Sequence, residues 1–148
     1  MSTKITSLSI FASICLISAP VLSANAQSLD SALDCQATPH AFVSDLMRDH
    51  KIAPTPVHVE SNSVNAFRTV DGGDVSALGF NVGAVVGYQA NDPLFRSGKG
   101  RPIERPLYGV VVSASVDAVS AKLQDAKLHA TVHQVVPMVM TAIVCEPQ

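Results

Sequence analysis

Tryptophan is absent, and two tyrosines and five phenylalanines are the whole aromatic complement of the 148 residues. A core must therefore be built mainly from Val, Ala, Leu and Ile. No Gly-x-Ser-x-Gly turn is present, so the nucleophile elbow of an α/β-hydrolase is excluded. No Cys-x-x-Cys pair is present, which argues against a dithiol redox centre. Gly98-Lys99 is followed by Gly100-Arg101-Pro102, without the hydroxyl and helix of a nucleotide-phosphate loop. There are no internal repeats and no low-complexity tract.

The N-terminal residues have the pattern of an export signal. Lys4 precedes an apolar stretch from Ile5 to Ile17, and Ala24-Asn25-Ala26 is a small-x-small cleavage site. The apolar stretch is too short for a membrane span, and Pro20 follows it closely. Cys15 lies within that stretch after Ile14, which does not suit lipid attachment. Residues 1–26 are therefore expected to be a cleaved signal, and residues 27–148 a single domain, periplasmic or secreted. Without Lys4, nine Lys and Arg face twelve Asp and Glu, a net charge of −3. That balance argues against nucleic acid or an anionic membrane as the partner.

Of three cysteines, Cys15 would leave with the signal. Cys35 and Cys145 are then expected to form one disulfide, joining the start of the domain to its last strand.

Thr38-Pro39 is a helix start, with Thr as N-cap and Pro at the first helical position. Phe42, Leu46, Met47 and His50 follow at helical spacing, and Pro54 and Pro56 are expected to end the helix. Short strands are expected over 57–60 and 66–70, with Asp71 to Asp74 as a tight turn. Val75 to Gln89 suggests one long strand or two. Its Gly79, Gly83 and Gly87 point to bulges, bending or close backbone packing. Leu107 to Ala114 has the continuous apolar character of a central strand. Ser115 is the N-cap of a second helix bearing Val116, Val119, Leu123 and Ala126, and two strands follow on either side of Pro137. The expected fold is α+β, in the order α-β-β-β-α-β-β. It has one largely antiparallel sheet with two helices on one face, and a rolled or partly closed sheet is the alternative.

Residues 91–106, NDPLFRSGKGRPIERP, stand apart. Arg96, Lys99, Arg101 and Arg105 fall within ten residues, between prolines 93, 102 and 106. Loops this long are uncommon unless they have a role. Phe95 beside Arg96 is the residue pair that anchors many interfaces. Phe95, Arg96, Lys99, Arg101 and Arg105 are therefore the candidate binding residues, and a solvated connection is the plain alternative.

No catalytic or metal set assembles from the rest. His129 and His133 would lie about 13 Å apart on a strand, too far for one metal. Met138, Met140 and Cys145 with a histidine could form a soft copper site, although methionines in an apolar strand are ordinary core residues. His40, His50 and His58 surround the first helix without a recognisable nucleophile. The expectation is a cofactor-free binding protein acting on another envelope or secreted protein, as periplasmic inhibitors and toxin-immunity proteins do. A small His-dependent hydrolase and a copper- or zinc-binding protein are the competing readings.

Overall fold

The computed structural model describes residues 26–70 and 74–147. The expected signal up to Asn25, Cys15, and Asp71 to Gly73 of the expected turn lie outside the described residues. The described elements are β1 (Gln27–Ser28), a 3-10 turn (Asp30–Asp34), α1 (Pro39–Arg48), β2 (His58–Val59) and β3 (Asn65–Arg68). They continue as β4 (Val75–Ala77), β5 (Phe80–Tyr88), β6 (Leu107–Val112), α2 (Val116–Asp125), β7 (Thr131–Val136) and β8 (Met140–Cys145). The fold is α+β with two helices and a mostly antiparallel sheet. No helix among the described residues is long and apolar enough to cross a membrane.

The sheet runs β1-β4-β5-β6-β8-β7, and β3 also pairs with β5 and carries β2. Only β1 and β4 pair in parallel among the described strands. One cross-strand row explains the layering. Phe67, Val85, Val110, Ile143 and Val132 are successive partners across five strands. All five belong to or pack against the main core, which also holds Phe42, Val43 and Leu46 of α1 and Val119 and Leu123 of α2. Both helices thus cover one face, as the alternation of apolar residues requires. The opposite face carries a smaller cluster of Val111, Ala142 and Val144, flanked by Ala84, Val86, Leu107 and Met140.

Local chemistry sets the helix ends. The Thr38 hydroxyl accepts from the Ala41 N–H at 3.1 Å, and the Ser115 hydroxyl accepts from the Ala118 N–H at 3.3 Å. Helix α1 stops before the prolines, at Arg48, because His50 turns left-handed with φ 54°. His50 and Ala126 are exposed, so each drops out of its expected apolar stripe, while Val43 is fully buried and belongs to it.

The stretch 75–89 is two strands. Leu78 and Gly79 have φ of 53° and 80° and form the tight hairpin turn between β4 and β5. The register shifts between Val82 and Ala84, so Gly83 marks a bulge. The short β1 and the 3-10 turn are additions to the expected order. They bury Leu29 and Leu33 against the core.

Cys35 and Cys145 are disulfide-bonded, closing a separation of 110 residues. Tyr108 stands opposite Cys145 in the sheet and is fully buried. Its hydroxyl donates to the Ala32 carbonyl at 2.8 Å and accepts from the Ala37 N–H at 3.3 Å. Its ring packs on Phe42 at 4.7 Å between centroids. One covalent bond and one phenol therefore fasten the segment before α1 to the central strands.

Candidate functional site

The chain leaves β5 at Tyr88 and re-enters the sheet at its direct partner Leu107. Everything between is a long connection that returns to its starting point. Its seat is the polar stretch Ser61 to Asn65, which follows β2 and ends on the first residue of β3. The Asn65 side chain is fully buried and grips the loop backbone from both sides. Its Oδ1 accepts from the Arg96 N–H at 2.9 Å, and its Nδ2 donates to the Arg96 carbonyl at 2.8 Å. The same Nδ2 donates to the Ser63 carbonyl at 2.8 Å. A side-chain amide suits this task, because one planar group offers both an acceptor and two donors.

Three further bonds continue the clamp. The Gly98 N–H donates to the Ser63 hydroxyl at 2.9 Å. The Gly100 N–H donates to the Ser61 carbonyl at 2.8 Å, and the Ile103 N–H to the Asn62 carbonyl at 3.1 Å. The two backbones run so close that a side chain at Gly98 would collide with the carbonyls of Glu60 and Ser61. Glycine is required there for space.

Phe95 corrects the sequence expectation. It is 8% exposed and belongs to the core, not to an outward surface. Its ring sits over Gly87 and lies 6.5 Å from the rings of both Phe67 and Tyr88. Apolar burial won over local company: an aromatic ring next to an arginine still goes inward when the backbone aims it at a core. Phe95 anchors the loop to its own protein and is not available to a partner.

The cations behave differently. Arg96, Lys99, Arg101 and Arg105 are all exposed. Arg101 meets Glu104 at 3.0 Å, with both side chains more than four-fifths exposed, so water screens the pair and it holds little. Among the described residues, Arg96, Lys99 and Arg105 have no ion-pair partner. The loop is thus plugged by Phe95, clamped through its backbone, and left with its charges outward.

Its first residues are tied as well. Asp92 Oδ2 lies 2.7 Å from His40 Nδ1 at the start of α1, and Asp92 Oδ1 accepts from the Leu94 N–H at 2.9 Å. His40 is the histidine that meets an aspartate, as a catalytic dyad would. Among the described residues no hydroxyl is hydrogen-bonded to its other ring nitrogen, and it is not in the lining of the open cleft beside the disulfide.

Arg105 closes the loop at an open cleft of about 610 Å³ beside the disulfide. Asp34, Gln36, His129, Thr131 and Glu146 share its walls with Cys35, Val144 and Pro147. Among the described residues no hydrogen bond joins His129, Thr131 and Glu146. His129 and His133 are exposed, and Met138 is 84% exposed and belongs to no core. Among the described residues no group of three His, Cys, Asp or Glu side chains could hold a metal ion.

Sequence reasoning singled out the loop but did not join it to the 61–65 stretch. It missed Asn65 as the clamp. The available signal was an uncommitted polar segment, SNSVN, whose last residue opens a strand and shares its buried face with Phe67.

The sequence matches no protein-family model, and no curated protein or solved structure is similar to it.

Proposed function

We propose that this is an exported binding protein of the cell envelope, without enzymatic activity of its own, which acts by protein–protein contact. Its contact surface is the cationic face of the clamped loop, formed by Arg96, Lys99, Arg101 and Arg105. Its partner is an envelope or secreted protein with an acidic patch, in the manner of an inhibitor or immunity-type protein.

The observation that carries this reading is the restraint of the loop. Seven hydrogen bonds, two of them made by the Asp92 carboxylate, hold its backbone or its base, and none uses the charged side chain of a cation. A loop ordered before contact loses less conformational entropy when it binds. Four of the nine Lys and Arg beyond Lys4 are gathered there, on a chain with net negative charge. Such a dipolar distribution steers an acidic partner and disfavours others. The Cys35–Cys145 bond fits an oxidising compartment, which agrees with export through the N-terminal signal pattern.

The His40–Asp92 contact is the one feature that favours a His-dependent hydrolase instead. It lacks a hydroxyl partner and a surrounding cleft, and it has an evident structural task in holding the loop base.

Capture from envelope extract tests the proposal. Immobilised wild type should retain a partner that the Arg96→Glu/Lys99→Glu variant loses, and retention should weaken as salt shortens the screening length. Equal recovery of the same partner by both proteins removes the loop from the contact. Phe95→Ala is a poor probe of contact, since it empties a core site instead.

A further inference from the structure

The open cleft beside the disulfide takes its walls from four separate segments of the chain. Asp34 ends the 3-10 turn, Arg105 lies near the end of the long loop, His129 precedes β7 and Glu146 follows β8. These four are exposed and form the rim, while Val144 is buried, Cys35 is half-buried, and the two form the floor. The cystine places two of the rim residues. Asp34 is next to Cys35 and Glu146 is next to Cys145, and the Cα atoms of the two cysteines are 5.0 Å apart. The sheet places a third, since Thr131 pairs with Val144 and the same register carried two residues further sets His129 opposite Glu146. Covalent and ladder bonds therefore fix this frame before any ligand arrives.

The rim charges are of both signs and are unpaired. Elsewhere on the described surface, opposite charges that come close form ion pairs: Asp45 with Arg48, His58 with Glu60, and Arg101 with Glu104. Among the described residues, Asp34, Arg105, His129 and Glu146 form none. Asp34 Oδ1 accepts from the Gln36 N–H at 3.0 Å, and its Oδ2 has no partner among the described residues. Opposite charges that share a cleft without meeting leave a gap that a ligand carrying both signs can bridge.

We infer that this cleft binds a short zwitterionic peptide with an apolar side chain. An anionic ligand would be repelled by Asp34 and Glu146, and a cationic one by Arg105. A peptide with free ends meets both demands. Its ammonium goes to the carboxylates beside the cystine, and its carboxylate goes to Arg105, whose planar fork of donors matches it. Its side chain takes the floor of Val144 and the cystine. The volume of about 610 Å³ is that of a small-ligand site. The charged ends of an extended dipeptide stand at most about 7 Å apart, which suits a gap across one cleft. Because the rim is exposed, water screens each contact, and the affinity is roughly millimolar.

Arg105 belongs to both the cleft and the cationic face of the loop. The two readings are nevertheless separable. The capture experiment above alters Arg96 and Lys99, which lie outside the walls of the cleft, and peptide binding needs no partner protein.

NMR titration of the oxidised protein with the dipeptide alanyl-leucine tests the inference, with its N-acetyl and C-amide forms as comparisons. The expected result is saturable movement of the Gln36, Thr131 and Val144 amides by alanyl-leucine. Each blocked form loses one charge and should bind about two- to fivefold more weakly, the worth of one exposed ion pair. Arg105→Gln should erase the preference for a free carboxylate and keep that for a free amine. Asp34→Asn/Glu146→Gln should do the reverse. All three positions are exposed, so both variants should melt as wild type does, and the comparison of peptide forms on wild type needs no variant. No saturation up to about 20 mM peptide, well above a millimolar dissociation constant, overturns the inference. So do equal affinities for the three forms, preferences that survive in the variants, or shifts that map away from the cleft.

Discussion

Replacing Asn65 with alanine should release the loop and destabilise the protein together. The side chain makes three hydrogen bonds, two to Arg96 and one to Ser63, from a fully buried position. Each ordinary hydrogen bond contributes about 1 kcal/mol net, and groups left unsatisfied cost more. The loop lies at the surface, so water can reach part of what is exposed, and a loss of about 2 to 3 kcal/mol follows. For a domain of this size that is a fall in melting temperature of roughly 10 °C. Asn65→Asp sharpens the test. It keeps Oδ1 but replaces two donors with acceptors that face two carbonyls, so it should destabilise at least as much as alanine. Urea denaturation gives the stability, and amide exchange gives the loop. The amides of Arg96, Gly98, Gly100 and Ile103 should exchange faster in both variants, while those of β6 and β8 stay slow below the unfolding transition. A stability loss under about 0.5 kcal/mol with unchanged loop exchange would refute the clamp, and with it the ordered contact surface.

Two further outcomes follow from the same cross-strand row, in which Asn65, Gly87, Tyr108 and Cys145 are successive partners. Cys35→Ser or Cys145→Ser should lower stability by about 2 to 5 kcal/mol, since the bond closes most of the described chain; equal melting of reduced and oxidised protein would contradict this. Burial pushes the Tyr108 phenol above its ordinary 10.0; the charge of Asp34 adds to that shift, and the hydrogen bond from Ala37 opposes it. The unfolded chain then loses this proton first, so the contribution is fully present below about pH 10 and is lost as pH rises through the folded value. Melting temperature measured between pH 9 and 11 should fall more steeply for wild type than for Tyr108→Phe, with disulfide integrity checked at each point.

What the sequence disclosed was local or covalent. Thr38 with Pro39, and Ser115, mark helix starts because capping is settled within one turn of chain. The Cys35–Cys145 bond followed from counting, since only two thiols remain beyond the expected signal. The hairpin at Leu78-Gly79 was half legible: glycine signalled a break, but Leu78 at positive φ is not a choice that local preference makes. Asn65 was out of reach because its partner is 31 residues away, and nothing in either segment names the other. Phe95 failed for a related reason. The sequence shows its neighbours along the chain, whereas its environment is Gly87, Phe67 and Tyr88, brought in by strand pairing.

That inversion of Phe95 alters the meaning of the loop without removing its role. An exposed ring on a mobile loop would have bound promiscuously, by burying apolar area wherever it could. A buried ring does the opposite: it spends its apolar surface on the protein's own core, and in the proposed contact recognition is left to charge. The proposed recognition by Arg96, Lys99, Arg101 and Arg105 would then depend on where they are held, because point charges discriminate between partners only when their spacing is kept. The Asn65 amide and the Gly98 contact fix backbone, the His40–Asp92 link joins the loop base to α1, and none of them engages a cationic side chain of the loop. An interface of this construction should gain its selectivity from the seat of the loop, so variants at Asn65 should blur partner choice before charge reversal at Arg96 or Lys99 abolishes binding.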